Sequence, residues 1–212
     1  MYDGTNFFGW QSQPNGNTIQ DCIEKRLAVI FGKKIRIHGS GRTDSGVHAW
    51  GQVFHFDADW PHGSEILLRA FRSGLSPSIQ ITNVQPIDPS FHARLSAKRK
   101  HYVYQFYLGY PSPFERLYKW SIGNKIIDLE KMNNLANHFL GKHDFSAFGA
   151  LRGDDSKENP TKILYQLSFS LHDRNLTLQT EASGFLYKMV RTLAATFLQV
   201  GLNKLDEHDV LL

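Results

Sequence analysis

Gly39-Ser40-Gly41-Arg42-Thr43-Asp44-Ser45-Gly46-Val47-His48 is a loop that carries its own chemistry, and its reading governs the rest of the chain. Its glycines permit tight backbone turns and the close approach of a ligand. Familiar phosphate and nucleophile loops do not fit it. A dinucleotide fingerprint needs a third glycine where Asp44 stands, and a P-loop needs a lysine where Val47 stands. Ser45 lacks the G-x-S-x-G flanks of a nucleophile elbow. Asp44 and His48 have no third ligand at a spacing that suits a metal. What remains is an arginine and an aspartate two residues apart on a glycine-hinged loop. By residue type alone, a turn-capping Asp44 paired with Arg42 stays open beside a catalytic carboxylate.

Residues 35–38 before the loop and 47–56 after it read as strands, the second with Gly51 inside it. Upstream, 18–31 predicts an amphipathic helix, because Ile19, Ile23, Leu27 and Ile30 recur at helical spacing. Thr18 supplies its N-cap, with Asp21 three residues on, and Gly32 supplies its stop. Residues 64–73 predict a second helix closed by Gly74, and 79–84 a strand. The clearest strand is 95–108, where Tyr102, Tyr104, Phe106 and Leu108 share one face. A third helix starts from an Asp128 cap, carries Leu129, Met132, Leu135 and Phe139, and ends at Gly141. Strands over 163–171 and 175–181 flank the turn His172-Asp173-Arg174. A last helix over 184–200 buries Phe185, Met189, Leu193 and Phe197. Helices and strands interleave twice, which predicts an α+β chain of two halves sharing a sheet. The chain opens on a loop signal, Asp3-Gly4-Thr5, and stops at Leu212 within the start of a helix, so a strand is expected to be missing at each end.

With 212 residues, 41% of them hydrophobic and 21% charged, the chain can bury a real core as one domain or two small ones. Its formal charge of +4 permits a polyanionic partner without requiring one. Cys22 stands alone, which rules out an internal disulfide and a CxxC zinc pair and makes a reducing compartment the default. No apolar run approaches the roughly 20 residues that cross a bilayer. The N-terminus has no basic and apolar signal regions. A cytoplasmic protein without a membrane partner is expected, with organellar or nuclear residence left open.

Gly41 to Ala49, followed by Gly51-Gln52-Val53, resembles the active-site signature of the TruA family of tRNA pseudouridine synthases. Upstream, Tyr2-Asp3-Gly4-Thr5 with Phe8-Gly9-Trp10-Gln11 is similar to that family's opening motif. Downstream, Phe91-His92-Ala93-Arg94 with Lys100, Tyr102 and Tyr104 resembles its second motif. Gly184-Phe185-Leu186-Tyr187-Lys188-Met189-Val190-Arg191 resembles its third, and Asp144-Phe145-Ser146-Ala147-Phe148 a further segment. The matches run in order from residue 2 to about 201. The resemblance implies a pseudouridine-synthase fold: two α/β halves around a largely antiparallel sheet, with a central basic cleft. Residues 1–95 would carry the aspartate loop, and 96–212 the stacking tyrosine and the arginine helix. It also implies a homodimer acting on uridines 38 to 40 of the tRNA anticodon stem-loop, with no cofactor and no metal. The family's strands before Tyr2 and after the last helix are the ones expected to be missing here.

Pseudouridine formation breaks the C1′–N1 bond, turns the base and joins C1′ to C5, so nothing is oxidised and no group is imported. A carboxylate can attack a sugar carbon or the uracil ring and later depart. The resemblance assigns that role to Asp44 and leaves attack at C1′, attack at C6 and a glycal route open. A carboxylate shut away from water resists ionisation, and a neighbouring guanidinium counters this. By resemblance that partner is Arg191. Lys188, three residues earlier on the same expected helix, would project beside it. The target base must leave its stack, which an aromatic ring partly repays. Tyr102 takes that position and can also move a proton, whereas Tyr104 reads as core. Arg42 would fill the vacated stack or hold a phosphate. Arg94 and Lys100, with Lys98 and Arg99, would line the RNA backbone. Two rivals stand beside this reading: a non-catalytic RNA-binding module of the same fold, and a hydrolase of a nucleoside bond, which lacks an evident acid partner.

Overall fold

The computed structural model describes residues 1–150 and 159–211, and these fall into two compact units, Met1–Ala97 and Lys98–Leu212. Among the described residues no helix is long and apolar enough to cross a membrane.

In the first unit, helix α1 (Ile19–Phe31) forms where the apolar period and the cap coincide. The Thr18 side chain accepts from the Asp21 N–H at 3.1 Å and its hydroxyl donates to the Asp21 carboxylate at 2.6 Å. Gly32, at φ 67, ends the helix in the left-handed conformation. Helix α2 (Ser64–Arg72) packs Leu67 and Phe71 into the same core. That core holds Trp10, Ile19, Ile23, Leu27, Ile35, Ile37, Ile79 and Ile81.

The strands of this unit are shorter than the sequence pattern predicts. Strand β1 (His38–Gly39) pairs antiparallel with β2 (Phe54–His55), and that is the whole ladder. Residues 79–84 contribute only the bridge from Ile79 to Tyr2. The backbone near Tyr2 bonds on both sides, to Ala49 and to residues 78–80. Asp3 then accepts from the Thr5 N–H and hydroxyl through its own Oδ1, an Asx turn that takes the chain out of the sheet direction.

The second unit holds a five-stranded sheet. Its strands are β3 (Lys100–Tyr107), β4 (Trp120–Ser121), β5 (Gly141–Asp144), β6 (Thr161–His172) and β7 (Asn175–Ala182). They lie in the order β4-β3-β7-β6-β5, antiparallel throughout except for the β3–β4 pair. The protein is thus a mixed α+β chain with a mostly antiparallel sheet. Along β7 the alternation is regular: Leu176, Leu178, Thr180 and Ala182 are buried. Along β6 the buried residues step from Leu164 to Leu167 to Phe169, because a bulge between Leu164 and Gln166 shifts the register.

Helix α3 (Leu129–Asn137) begins as read, with Asp128 accepting from the Lys131 N–H at 2.9 Å. It ends before Phe139, which stays buried in the turn leading to β5. Helix α4 (Met189–Gly201) buries Met189, Leu193, Ala194, Phe197 and Leu198. It starts five residues later than 184, because Lys188 takes a left-handed φ of 62 at its N-cap. Helix α5 (Glu207–Leu211) closes the described chain.

Candidate active site

The loop that carries Asp44 is built on by the first ten residues of its own unit. Trp10 N–H donates to the Thr43 carbonyl at 3.0 Å, and Gly46 N–H to the Phe7 carbonyl at 3.3 Å. The Ser45 hydroxyl reaches that same Phe7 carbonyl at 3.2 Å. The Tyr2 hydroxyl pairs with the Thr43 hydroxyl at 2.8 Å. His48 Nδ1 lies 3.1 Å from the Gly4 N–H and 3.0 Å from an Asp3 carboxylate oxygen. Two glycines make this contact possible. A Cβ on Gly4 would fall well inside the Val47 carbonyl, and one on Gly9 would sit 2.5 Å from the Thr43 carbonyl. Behind the loop, Gln52 accepts from the Ser40 hydroxyl at 2.6 Å and donates to the Gly41 carbonyl at 2.8 Å.

Asp44 is half-buried and Arg42 exposed on this scaffold. Arg94 belongs to the same unit and is exposed in a turn over residues 91–96, where its N–H donates to His92 Nδ1 at 3.2 Å. Three histidines of this unit, His38, His55 and His92, gather together. His38 and His55 face each other across the β1–β2 pair with ring centroids 5.1 Å apart, and His92 lies 4.6 Å from His55. The two-residue ladder that opposes them was not legible in the strand pattern.

Burial pushes the His55 imidazole below its ordinary value, and the neighbouring His92 and His38 push the same way, against Asp57 and the His38 backbone. Its Nδ1 accepts from the Ala93 N–H at 3.2 Å, while His92 Nδ1 accepts from Arg94 and Leu95. These nitrogens hold the backbone rather than a cation. Among the described residues no three His, Cys, Asp or Glu side chains are placed to hold a metal ion.

In the second unit, Tyr102 stands on β3 opposite Thr180, and its ring meets Phe185 edge-on at 5.1 Å. Tyr104, on the same face, packs against the core. Burial pushes its phenol up, and the charge of Arg191 pulls it back. The Arg191 charge is thus felt at Tyr104. Arg191 lies exposed in the first turn of α4.

The sequence reading expected Lys188 on the same helix, projecting beside Arg191, but its left-handed backbone places it at the N-cap. It sits outside the helix, with its ammonium 5.1 Å over the Tyr187 ring. Lys100 opens β3 opposite Ala182. In the basic run beside it, Arg99 pairs with Glu181 at 2.8 Å and stacks over Tyr165 at 4.4 Å, which ties its charge to the sheet. A hollow of about 490 Å³ elsewhere in this unit is lined by Asp128, Glu130, Asp206 and Glu207 among others. Lys131, His138 and His208 line it as well, and it shares no residue with the candidate groups.

Fold and side chains together define a class: mixed α+β proteins whose loop aspartate is fixed by backbone and hydroxyl bonds, with arginines and aromatic rings as the other candidate groups. The family described as tRNA pseudouridine synthase matches residues 1–95 and 135–211, and the chain belongs to it. Among its relatives, tRNA pseudouridine synthase A 1 of Protochlamydia amoebophila is 44% identical over 209 residues, covering 96% of this chain and 80% of that protein. The tRNA pseudouridine synthase A of Geotalea uraniireducens is 40% identical over 208 residues, 96% of this chain and 82% of the relative. Its counterpart in a Thermoanaerobacter species is 38% identical over 210 residues, 99% of this chain and 85% of the relative.

Proposed function

We propose that the chain is a tRNA pseudouridine synthase, isomerising uridine to pseudouridine in the anticodon stem-loop at positions 38–40, with Asp44 as nucleophile. The observation that carries this reading is the family match over residues 1–95 and 135–211. The bonding of the Asp44 loop to residues 2–10 supports it, because a reacting carboxylate must be held in one geometry.

In the reaction the C1′–N1 bond breaks, the uracil turns, and C1′ joins C5. C5 then gives up its proton and N1 gains one, so atoms and electrons balance without an added reagent. Asp44 forms and later releases a covalent bond, at C1′ or C6, or abstracts a proton on a glycal route. Arg191 keeps the carboxylate charged. Tyr102 packs on the flipped base and moves a proton, and Arg42 fills the gap left in the stack. Arg94, Lys100 and Lys188 hold RNA phosphates. No metal or cofactor takes part.

The enzyme works in the cytoplasm as a homodimer. The second reading, an RNA-binding module of the same fold without catalysis, is favoured by the exposed arginines alone.

One assay separates them. Tritium released from tRNA labelled at uridine C5 reports turnover, and filter binding reports affinity. Asp44→Asn is expected to lower release by more than about a thousandfold while affinity stays within a few fold. Full turnover by this variant removes the nucleophile assignment. No release by the wild type, with tight binding, establishes the module instead.

A further inference from the structure

Beneath the Asp44 loop lies a small hydroxyl and amide network that the proposed chemistry does not use. Tyr2 is only 6% exposed, yet its hydroxyl is not wasted on solvent: it meets the Thr43 hydroxyl at 2.8 Å. Thr43 directly precedes Asp44, and its carbonyl is held from the other side by Trp10 N–H at 3.0 Å. Gln52 extends the network, accepting from Ser40 at 2.6 Å and bonding the Gly41 carbonyl at 2.8 Å. The residues on both sides of Arg42 are therefore tied down, at Gly41 by Gln52 and at Thr43 by Tyr2 and Trp10.

We infer that Tyr2 and Thr43 are positioning residues, whose shared hydroxyl bond fixes the backbone that aims the Arg42 and Asp44 side chains. This rests on the reading of Asp44 as nucleophile. Tyr2 suits the task because the backbone around it is itself anchored. Its N–H and carbonyl both pair with Ala49 at 2.8 and 3.0 Å, on the far side of the loop from Thr43 in sequence. The bond thus closes a ring from Tyr2 through Thr43, along the loop to Ala49, and back to Tyr2. Burial pushes the Tyr2 phenol above its ordinary value, with the Thr43 and Gln52 bonds pulling the other way, so the hydroxyl stays protonated at working pH. A misplacement of about 1 Å at a reacting group can cost about a hundredfold in rate, so loss of this tie is read in turnover.

The test uses the full chain with an anticodon stem-loop RNA labelled at uridine C5, and compares Tyr2→Phe, Thr43→Val, the double variant, Thr43→Ser and Asp44→Asn. Tyr2→Phe and Thr43→Val are each expected to lower kcat ten- to a hundredfold, with KM within twofold and an unchanged folded fraction by circular dichroism at the assay temperature. The double variant is expected to lose no more than either single one, because one bond is removed only once. Thr43→Ser, which keeps the hydroxyl, is expected to restore most of the turnover. Unchanged kcat in Tyr2→Phe alongside an inactive Asp44→Asn overturns the positioning role and leaves the nucleophile standing. Losses that add in the double variant, or that track a fall in folded fraction, overturn it as well. Full turnover by Asp44→Asn takes away the reading on which both depend.

Discussion

At the scale of single residues, the candidate loop depends as much on missing side chains as on present ones. Gly4 and Gly9 let residues 2–10 lie against Thr43 and Val47 at a distance that no Cβ allows. Gly9 also holds a φ of 86, a left-handed conformation that costs other residues roughly 1–2 kcal/mol. Gly16 offers a control. Its φ is 67, but nothing lies within 4 Å of where its Cβ would be. Gly16→Ala should therefore cost only the backbone strain, about 1 kcal/mol. Gly9→Ala and Gly4→Ala should cost more than about 2 kcal/mol, since backbone must move to relieve each clash. Urea unfolding midpoints at constant m-value read the three side by side. Equal losses at positions 9 and 16 would show that the packing of the opening motif on the loop is not what Gly9 serves.

At the scale of elements, the β1–β2 ladder is short but carries two imidazoles, His38 and His55, with His92 packed against both, and that makes its stability depend on pH. His55 has a folded pKa pushed below its ordinary 6.5 by burial first and by His92 and His38 next. A group shifted this way favours the neutral native form. Its contribution is complete above 6.5 and drains as pH falls from there through the lower folded value, because the unfolded chain then binds the extra proton. The melting temperature is accordingly expected to fall between pH 7.5 and 5.5. His55→Asn should flatten that slope, since the asparagine oxygen still accepts from Ala93 N–H but takes up no proton. A slope that survives the substitution would move the effect to other groups.

The helices were the legible elements. The starts of α1 and α3 follow from caps whose partners lie three residues away, at Asp21 and Lys131. Strands in the first unit were not legible, because their pairing is decided by distant residues: Ala49 and Ile79 bridge to Tyr2 rather than to each other. The late start of α4 escaped notice for a different reason. Residues 184–188 have the apolar spacing of a helix, but Lys188 adopts a left-handed backbone that spacing does not encode. Likewise the Asp44 loop stood out by its motif, whereas the Tyr2–Thr43 tie joins residues 41 positions apart and leaves no local signal.

At the scale of the whole molecule, the charge sets a condition on how RNA is bound. A net of +4 is too small for attraction spread evenly over the surface to hold a polyanion firmly. Affinity must come from cations standing where phosphates pass, and each such contact releases counterions when it forms. Removing one that touches a phosphate should lower the slope of log affinity against log salt by about one, while removing one that does not should leave it unchanged. Arg94 and Arg99 make a fair comparison, being exposed arginines five residues apart in the chain. Arg99 already spends its charge on Glu181 at 2.8 Å and lies over Tyr165. Arg94 is fixed through its backbone, which leaves the guanidinium to be placed by its own stem. Arg94→Gln is expected to reduce the salt slope by about one and to weaken stem-loop binding several fold at low salt. Arg99→Gln should leave the slope within experimental scatter. Fluorescence anisotropy between 50 and 300 mM potassium chloride, roughly the range over which phosphate contacts weaken by orders of magnitude, reads both. If Arg99→Gln flattens the slope and Arg94→Gln does not, the RNA backbone runs over the β-sheet surface rather than past the 91–96 turn.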